Sequence, residues 1–130
     1  MQRLVGVHPL LAFAVIEAIK ISEVDFGVVE GVRTLERQKW LKENGYSKTL
    51  NSYHLYGLAV DLVPYVDGNY RWDKIEHFEE IAKAMHTVIK KYNLPIQNGF
   101  DLWGWDRPHW QMTGWRRHYD IRKLAKVEYV

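Results

Sequence analysis

The chain has 130 residues, enough for one domain built on a single hydrophobic core. Apolar residues are 47% and charged residues 26%, a globular composition, and the net charge of +2 is small. Cysteine is absent, which excludes disulfides, thiolate metal ligands and a cysteine nucleophile, and leaves the redox compartment open.

No signal peptide is predicted at the N-terminus, because Arg3 is followed by too short and too mixed a stretch. Pro9 suits the first turn of a helix that runs to about Ile21. Residues 10–21 are strongly apolar, but Glu17 and Lys20 interrupt them and they are too few to span a bilayer, so the expectation is a buried helix. Residues 25–32 are predicted as a strand around Phe26, Val28 and Val29. Thr34 is a candidate N-cap, without a capping box because Arg37 occupies the Glu/Gln position. A helix over residues 35–44 follows and Gly45 closes it. Residues 48–57 are polar and turn-rich, hence loop. Residues 58–65 form a strand with Leu58, Val60 and Leu62 on one face and Ala59, Asp61 and Val63 on the other. Asp67-Gly68-Asn69 marks a hairpin turn, from which Tyr70-Arg71-Trp72 returns. Apolar spacing from Ile75 to Ile89 predicts a long amphipathic helix over residues 73–92. Residues 99–102 and 109–112 are predicted as short strands around a Gly-Trp-rich turn. There is no repeat, linker or low-complexity segment. Helices and antiparallel strands without regular alternation predict an α+β fold, a small antiparallel sheet flanked by helices, as one domain over residues 1–130.

Two clusters carry the chemistry. In Ser52-Tyr53-His54-Leu55-Tyr56-Gly57-Leu58-Ala59-Val60-Asp61 a histidine leaves a loop and a carboxylate sits inside an apolar strand. Burying that carboxylate alone costs several kcal/mol, so Asp61 needs a cation or strong donors. A zinc ion shared with His54 meets the need. Pairing of Asp61 with an Arg or Lys, with His54 on the surface, also meets it, and this cluster alone leaves both open. In Trp105-Asp106-Arg107-Pro108-His109-Trp110 an acid precedes a histidine by three residues. With His109 as a third ligand, one tetrahedral position remains for water, the arrangement of a catalytic zinc site. Asp106 then supplies the base that metal-assisted hydrolysis needs. Taken singly, Asp106 is also a turn acid and His109 a packed strand residue. The two clusters together supply three ligands and a base.

The stretch Ser52-x-His54-x-x-Gly57-x-Ala59-x-Asp61, with Asp106-x-Pro108-His109 beyond it, resembles the D-Ala-D-Ala carboxypeptidase family of zinc peptidases, the group shared with lysostaphin and the hedgehog signalling domain. Within it the chain looks most like phage endolysins that are L-alanyl-D-glutamate endopeptidases. The likeness continues through Glu30-Gly31-Val32-Arg33-Thr34, Gly45-Tyr46-Ser47-Lys48-Thr49 and Asp61-Leu62-Val63-Pro64-Tyr65-Val66-Asp67-Gly68, and covers roughly residues 9–113. The resemblance implies that His54, Asp61 and His109 bind Zn2+, that Asp106 is the catalytic base, and that Arg33 stabilises the oxyanion. It also suggests Ser52 and Gln38 as residues that contact substrate or orient the ligands. Many members carry Glu where this chain has Asp106; Asp occurs there in the endolysin branch.

The six Trp and eight Tyr fit either an aromatic core or a substrate groove. Trp103 and Trp105, in the loop before the third ligand, are assigned to the cleft wall. His8, His77, His86 and His118 are assigned to surface or packing roles. The expected function is cleavage of the peptidoglycan stem peptide at the L-Ala–D-Glu bond by a monomer, without nucleic acid or membrane insertion as partners. The resemblance implies synthesis in the host cytoplasm, release to the wall through a holin, and no separate wall-binding module. The rivals are a D,D-carboxypeptidase or dipeptidase, a non-catalytic zinc-containing peptidoglycan-binding domain, and a nucleic-acid binder suggested by the basic run Arg116, Arg117, Arg122, Lys123 and Lys126.

Overall fold

A computed structural model describes residues 2–46 and 53–114. Ser52, Trp115, His118 and the basic C-terminal run lie outside the described residues. Among the described residues no helix is long and apolar enough to cross a membrane.

Helix α1 (Pro9–Ile21) begins on Pro9, and the His8 side chain caps it by accepting from the Leu10 N–H at 3.1 Å. It buries Leu11, Ala14, Val15 and Ala18, the spacing of one helix face. Helix α2 (Leu35–Glu43) is capped by Thr34, whose hydroxyl oxygen accepts from the Arg37 N–H at 3.0 Å. Helix α3 (Ile75–Tyr92) buries Phe78, Ile81, Ala84, Met85 and Val88, and stops where Asn93 turns left-handed at φ 52°. Short 3-10 turns cover Gln2–Leu4 and Tyr53–Tyr56, the second inside the segment expected as loop.

The strands are β1 (Phe26–Glu30), β2 (Ala59–Val66), β3 (Asn69–Tyr70), β4 (Ile96–Asn98) and β5 (His109–Met112). They form one antiparallel sheet in the order β1-β2-β5-β4, with β3 folded back on the far end of β2. The α+β architecture expected from the sequence is the one found. One expectation is corrected: residues 99–102 are not a strand. Helix α4 (Gly99–Trp103) occupies them, and the strand lies just before it. Asn98 is the reason, since its side-chain oxygen accepts from the Phe100 N–H at 3.2 Å and starts a helix that five residues of mixed character do not advertise.

Sheet register decides which face each residue takes. Val60 lies opposite Trp110, and both are fully buried with Leu62, Met112 and the inward residues of α1 and α3. One step along, Asp61 lies opposite His109 on β5 and opposite Glu30 on β1, where a register shift after Val28 brings Glu30 into line. The pleat therefore sets Glu30, Asp61 and His109 in one row, on the face away from Trp110.

Candidate metal centre

Three elements deliver the site. His54 comes from the turn before β2, Asp61 from the middle of β2 and His109 from the first position of β5. His54 and His109 are buried and Asp61 is partly so. One nitrogen or oxygen from each of the three lies within 4.8 Å of the others, a group that could hold a metal ion.

The separations favour that use. His54 Nε2 is 3.4 Å and His109 Nδ1 is 3.5 Å from the same oxygen, Asp61 Oδ1. Both are long for N–H···O hydrogen bonds, which cluster around roughly 2.9–3.0 Å. A tetrahedral ion with ligand bonds of roughly 2.0–2.1 Å has edges of about 3.4 Å between ligand atoms. The remaining ring nitrogens are engaged behind the site. His54 Nδ1 lies 3.0 Å from the Gly31 carbonyl oxygen, and His109 Nε2 lies 2.9 Å from Gln111 Oε1. Each acceptor calls for an N–H on the rear nitrogen and leaves the front nitrogen a lone pair for a metal.

Electrostatics agree with a cation-seeking centre. Burial alone would raise the Asp61 carboxyl, but the His109 and His54 imidazoles close against it hold it well below the usual carboxylate range. Burial pulls the His109 imidazole down, yet the Asp61 carboxylate, with Gln111 and Asp106, keeps it above the ordinary value. Asp106 moves the other way from Asp61: burial raises its carboxyl, against the partly opposing charge of His109. It is a carboxyl that gives up its proton more reluctantly than usual.

Arg33 lies within the same network. Its Nε donates to Glu30 Oε1 at 2.9 Å, its Nη1 to Gln38 Oε1 at 2.8 Å, and its Nη2 stands 3.9 Å from Asp61 Oδ2. Its backbone N–H donates to the His54 carbonyl at 2.9 Å. Gln38 is fully buried, so in this structure it orients Arg33 and offers no surface to a substrate. Trp103 lies beside His109 with ring centres 5.3 Å apart, and Trp105 lies 6.3 Å beyond it. Trp103 is about half exposed and Trp105 mostly so. His86 is not at the site: it bonds Asp101 at 2.9 Å and meets the Trp110 ring edge-on.

Sequence reasoning missed Glu30, Gly31 and Gln111 as partners of the site. Gln111 had a signal, since it follows His109 by two residues in a strand and so shares its face. Glu30 had a weaker one, as the acid that ends an apolar strand three residues before Arg33. The Gly31 carbonyl had none, because main-chain acceptors carry no residue-type signature.

The profile of a family described as phage L-alanyl-D-glutamate peptidase matches residues 1–120. The L-alanyl-D-glutamate peptidase of Escherichia phage T5 is 30% identical over 103 residues, which are 77% of this chain and 75% of that protein. The crystal structure of the Serratia marcescens L-Ala D-Glu endopeptidase ChiX superposes with a TM-score of 0.81 at 34% identity, covering 90% of this chain and 87% of that one.

Proposed function

We propose, because this chain belongs to the phage L-alanyl-D-glutamate peptidase family and shares that activity on peptidoglycan, that it hydrolyses the stem peptide with one zinc ion held by His54, Asp61 and His109. The observation that carries the reading is the pair of ligand-atom edges of 3.4 and 3.5 Å converging on Asp61 Oδ1. Two imidazoles and a carboxylate suit zinc, and three protein ligands leave room for a fourth. Zinc bound there supplies a Lewis acid and lowers the pKa of a water to roughly 7.

The remaining chemistry falls to the chain. Asp106 is the proton carrier: a carboxylate oxygen accepts the proton of the attacking water and later returns it to the leaving D-Glu nitrogen. Its raised affinity for protons suits a group that must both take and give one. Arg33 brings a fixed positive charge to the edge of the ligand set, where the scissile carbonyl oxygen becomes anionic. Glu30 and Gln38 hold two of its nitrogens, so the guanidinium needs little reorganisation when that charge appears. Trp103 and Trp105 wall the cleft on the His109 side.

The test is metal analysis with kinetics on purified peptidoglycan. One zinc per chain is expected, with loss of hydrolysis on chelation and recovery on zinc addition. Asp106→Ala should keep its zinc and lose a factor of roughly 10²–10⁴ in kcat, the usual contribution of a positioned base. New N-terminal D-Glu marks the L-Ala–D-Glu bond, and free D-Ala would instead mark a D,D-peptidase. Full activity after verified metal removal, or wild-type rates in Asp106→Ala, would overturn the assignment.

A further inference from the structure

The turn 105–109 carries both the proposed base and the third proposed ligand, and Pro108 leaves it one donor short. Its carbonyls are nevertheless all held. The Trp105 and Asp106 oxygens accept from the Arg107 and His109 N–H groups at 3.0 and 3.3 Å, and the Pro108 oxygen accepts from the Leu62 N–H at 2.8 Å. The oxygens of Arg107 and His109 accept from one side chain: Asn98 Nδ2 donates to them at 3.1 and 3.0 Å. The Asn98 oxygen meanwhile caps α4. Asn98 is 3% exposed, so both N–H groups and the carbonyl of a buried amide are spent on joining α4 to this turn.

Gly99 completes the arrangement. Its φ is not positive, so the backbone conformation does not require glycine. Space does. A Cβ at this position would run into the Asp106 carbonyl oxygen and would lie 2.9 Å from the Asp106 Cβ and 3.0 Å from the His109 Cβ. The backbone of α4 thus touches the two functional residues from behind, at the points where their side chains depart.

We propose that Asn98 and Gly99 are the positioning residues of the site, a seat that sets where Asp106 and His109 stand relative to each other. The inference rests on the reading of Asp106 as base and His109 as ligand. Asn98 fixes the turn at the carbonyls of Arg107 and His109, and Gly99 lets Asp106 and His109 close down on α4. A side chain at residue 99 displaces Asp106 by the few tenths of an ångström to an ångström that costs an enzyme roughly 10²-fold when a reacting group is misplaced.

Two variants test the seat. Gly99→Ala adds the obstructing carbon. Asn98→Asp keeps an oxygen to cap α4 and removes both donors to the turn, which covers the case in which one variant does not fold. The readouts are zinc affinity by chelator competition, kcat and KM at saturating zinc, and the melting temperature of the zinc-free protein. Expected for Gly99→Ala is a fall in kcat of about 10²-fold with KM within about twofold. Expected for Asn98→Asp is a fall in zinc affinity of about tenfold or more, as when a ligand loses its support. A merely structural seat lowers the melting temperature and leaves kcat and zinc affinity of the folded protein within about twofold of wild type in both variants, and that result overturns the proposal. Controls keep the two readings apart: wild type without stoichiometric zinc, or an unimpaired Asp106→Ala, counts against the assignment of ligand and base.

Discussion

Gln111 decides how His109 faces the metal position. The ring and the amide are both buried, and the 2.9 Å contact pairs Nε2 with an oxygen that only accepts. His109 therefore presents Nδ1, while His54 presents Nε2 because its Nδ1 is taken by Gly31. Gln111→Leu removes the acceptor and leaves a buried N–H unpaired, so zinc affinity should fall about 10- to 100-fold. Gln111→Glu keeps an acceptor and should hold affinity near wild type. Competition with a chelating dye measures both, and an unchanged Gln111→Leu would rule the role out. The proton competes with the metal at the same ring. His109 holds its proton more tightly in the fold than the ordinary imidazole value of 6.5, so zinc affinity should begin to fall on acidification at a pH above 6.5. The zinc-free protein has the reverse dependence. The contribution of His109 is complete below 6.5 and is lost as pH rises through its raised folded value. That of Asp61 is complete above 3.8 and is lost as pH falls toward its lowered folded value. Melting temperature against pH, without metal, should therefore peak between those limits, and a curve that climbs steadily through neutral pH would contradict the pairing. At this scale the His54, Asp61 and His109 group was legible because its residue types announce a metal site, and Asp106, the proposed base, drew notice as an acid three residues before His109. Gln38 was legible as a neighbour of the site, yet whether it touched substrate or Arg33 depended on burial that no residue type announces. Asn98 and Gly99 were illegible, since their role is fixed by what packs behind them.

The long elements of this chain announce themselves and the short ones do not. α1, α2 and α3 were readable from apolar spacing and punctuation, and β2 from its alternation around Asp61. β4 has three residues and α4 has five, too few for either period to show, and α4 exists because Asn98 caps it and Asp106 packs on it. The register shift in β1 is also invisible in sequence, although it is what aligns Glu30 with Asp61. α2 shows how an element serves the site at a distance. Its first turn carries Gln38, which holds Arg33, and its start is fixed by the Thr34 cap. Thr34 is exposed, so Thr34→Ala removes the cap without opening the core. The cost should be about 1 kcal/mol of stability. Thermal melting of the zinc-bound protein should register a drop of several degrees, with zinc content unchanged. A melting temperature equal to wild type would mean that tertiary contacts, and not the cap, set where α2 begins.

For the whole molecule, the three proposed ligands tie a turn ahead of β2 and the middle of β2 to the start of β5, nearly fifty residues further along the chain. An ion bound only when all three converge binds the folded state and not the unfolded one, so its binding energy adds to fold stability. The gain follows the logarithm of free zinc over its dissociation constant, about 2.7 kcal/mol at a hundredfold excess. In a chain of 130 residues that corresponds to a rise in Tm of about ten degrees that grows with zinc concentration. Asp61 is the pivot, because both imidazole edges meet on its Oδ1. Asp61→Asn retains the volume and removes the charge that zinc and the two imidazoles share. Its melting temperature should be insensitive to zinc and to chelator alike, and it should lose hydrolysis. If wild-type Tm does not move between excess zinc and excess chelator while hydrolysis still depends on zinc, the ion is held somewhere other than across this turn and these two strands.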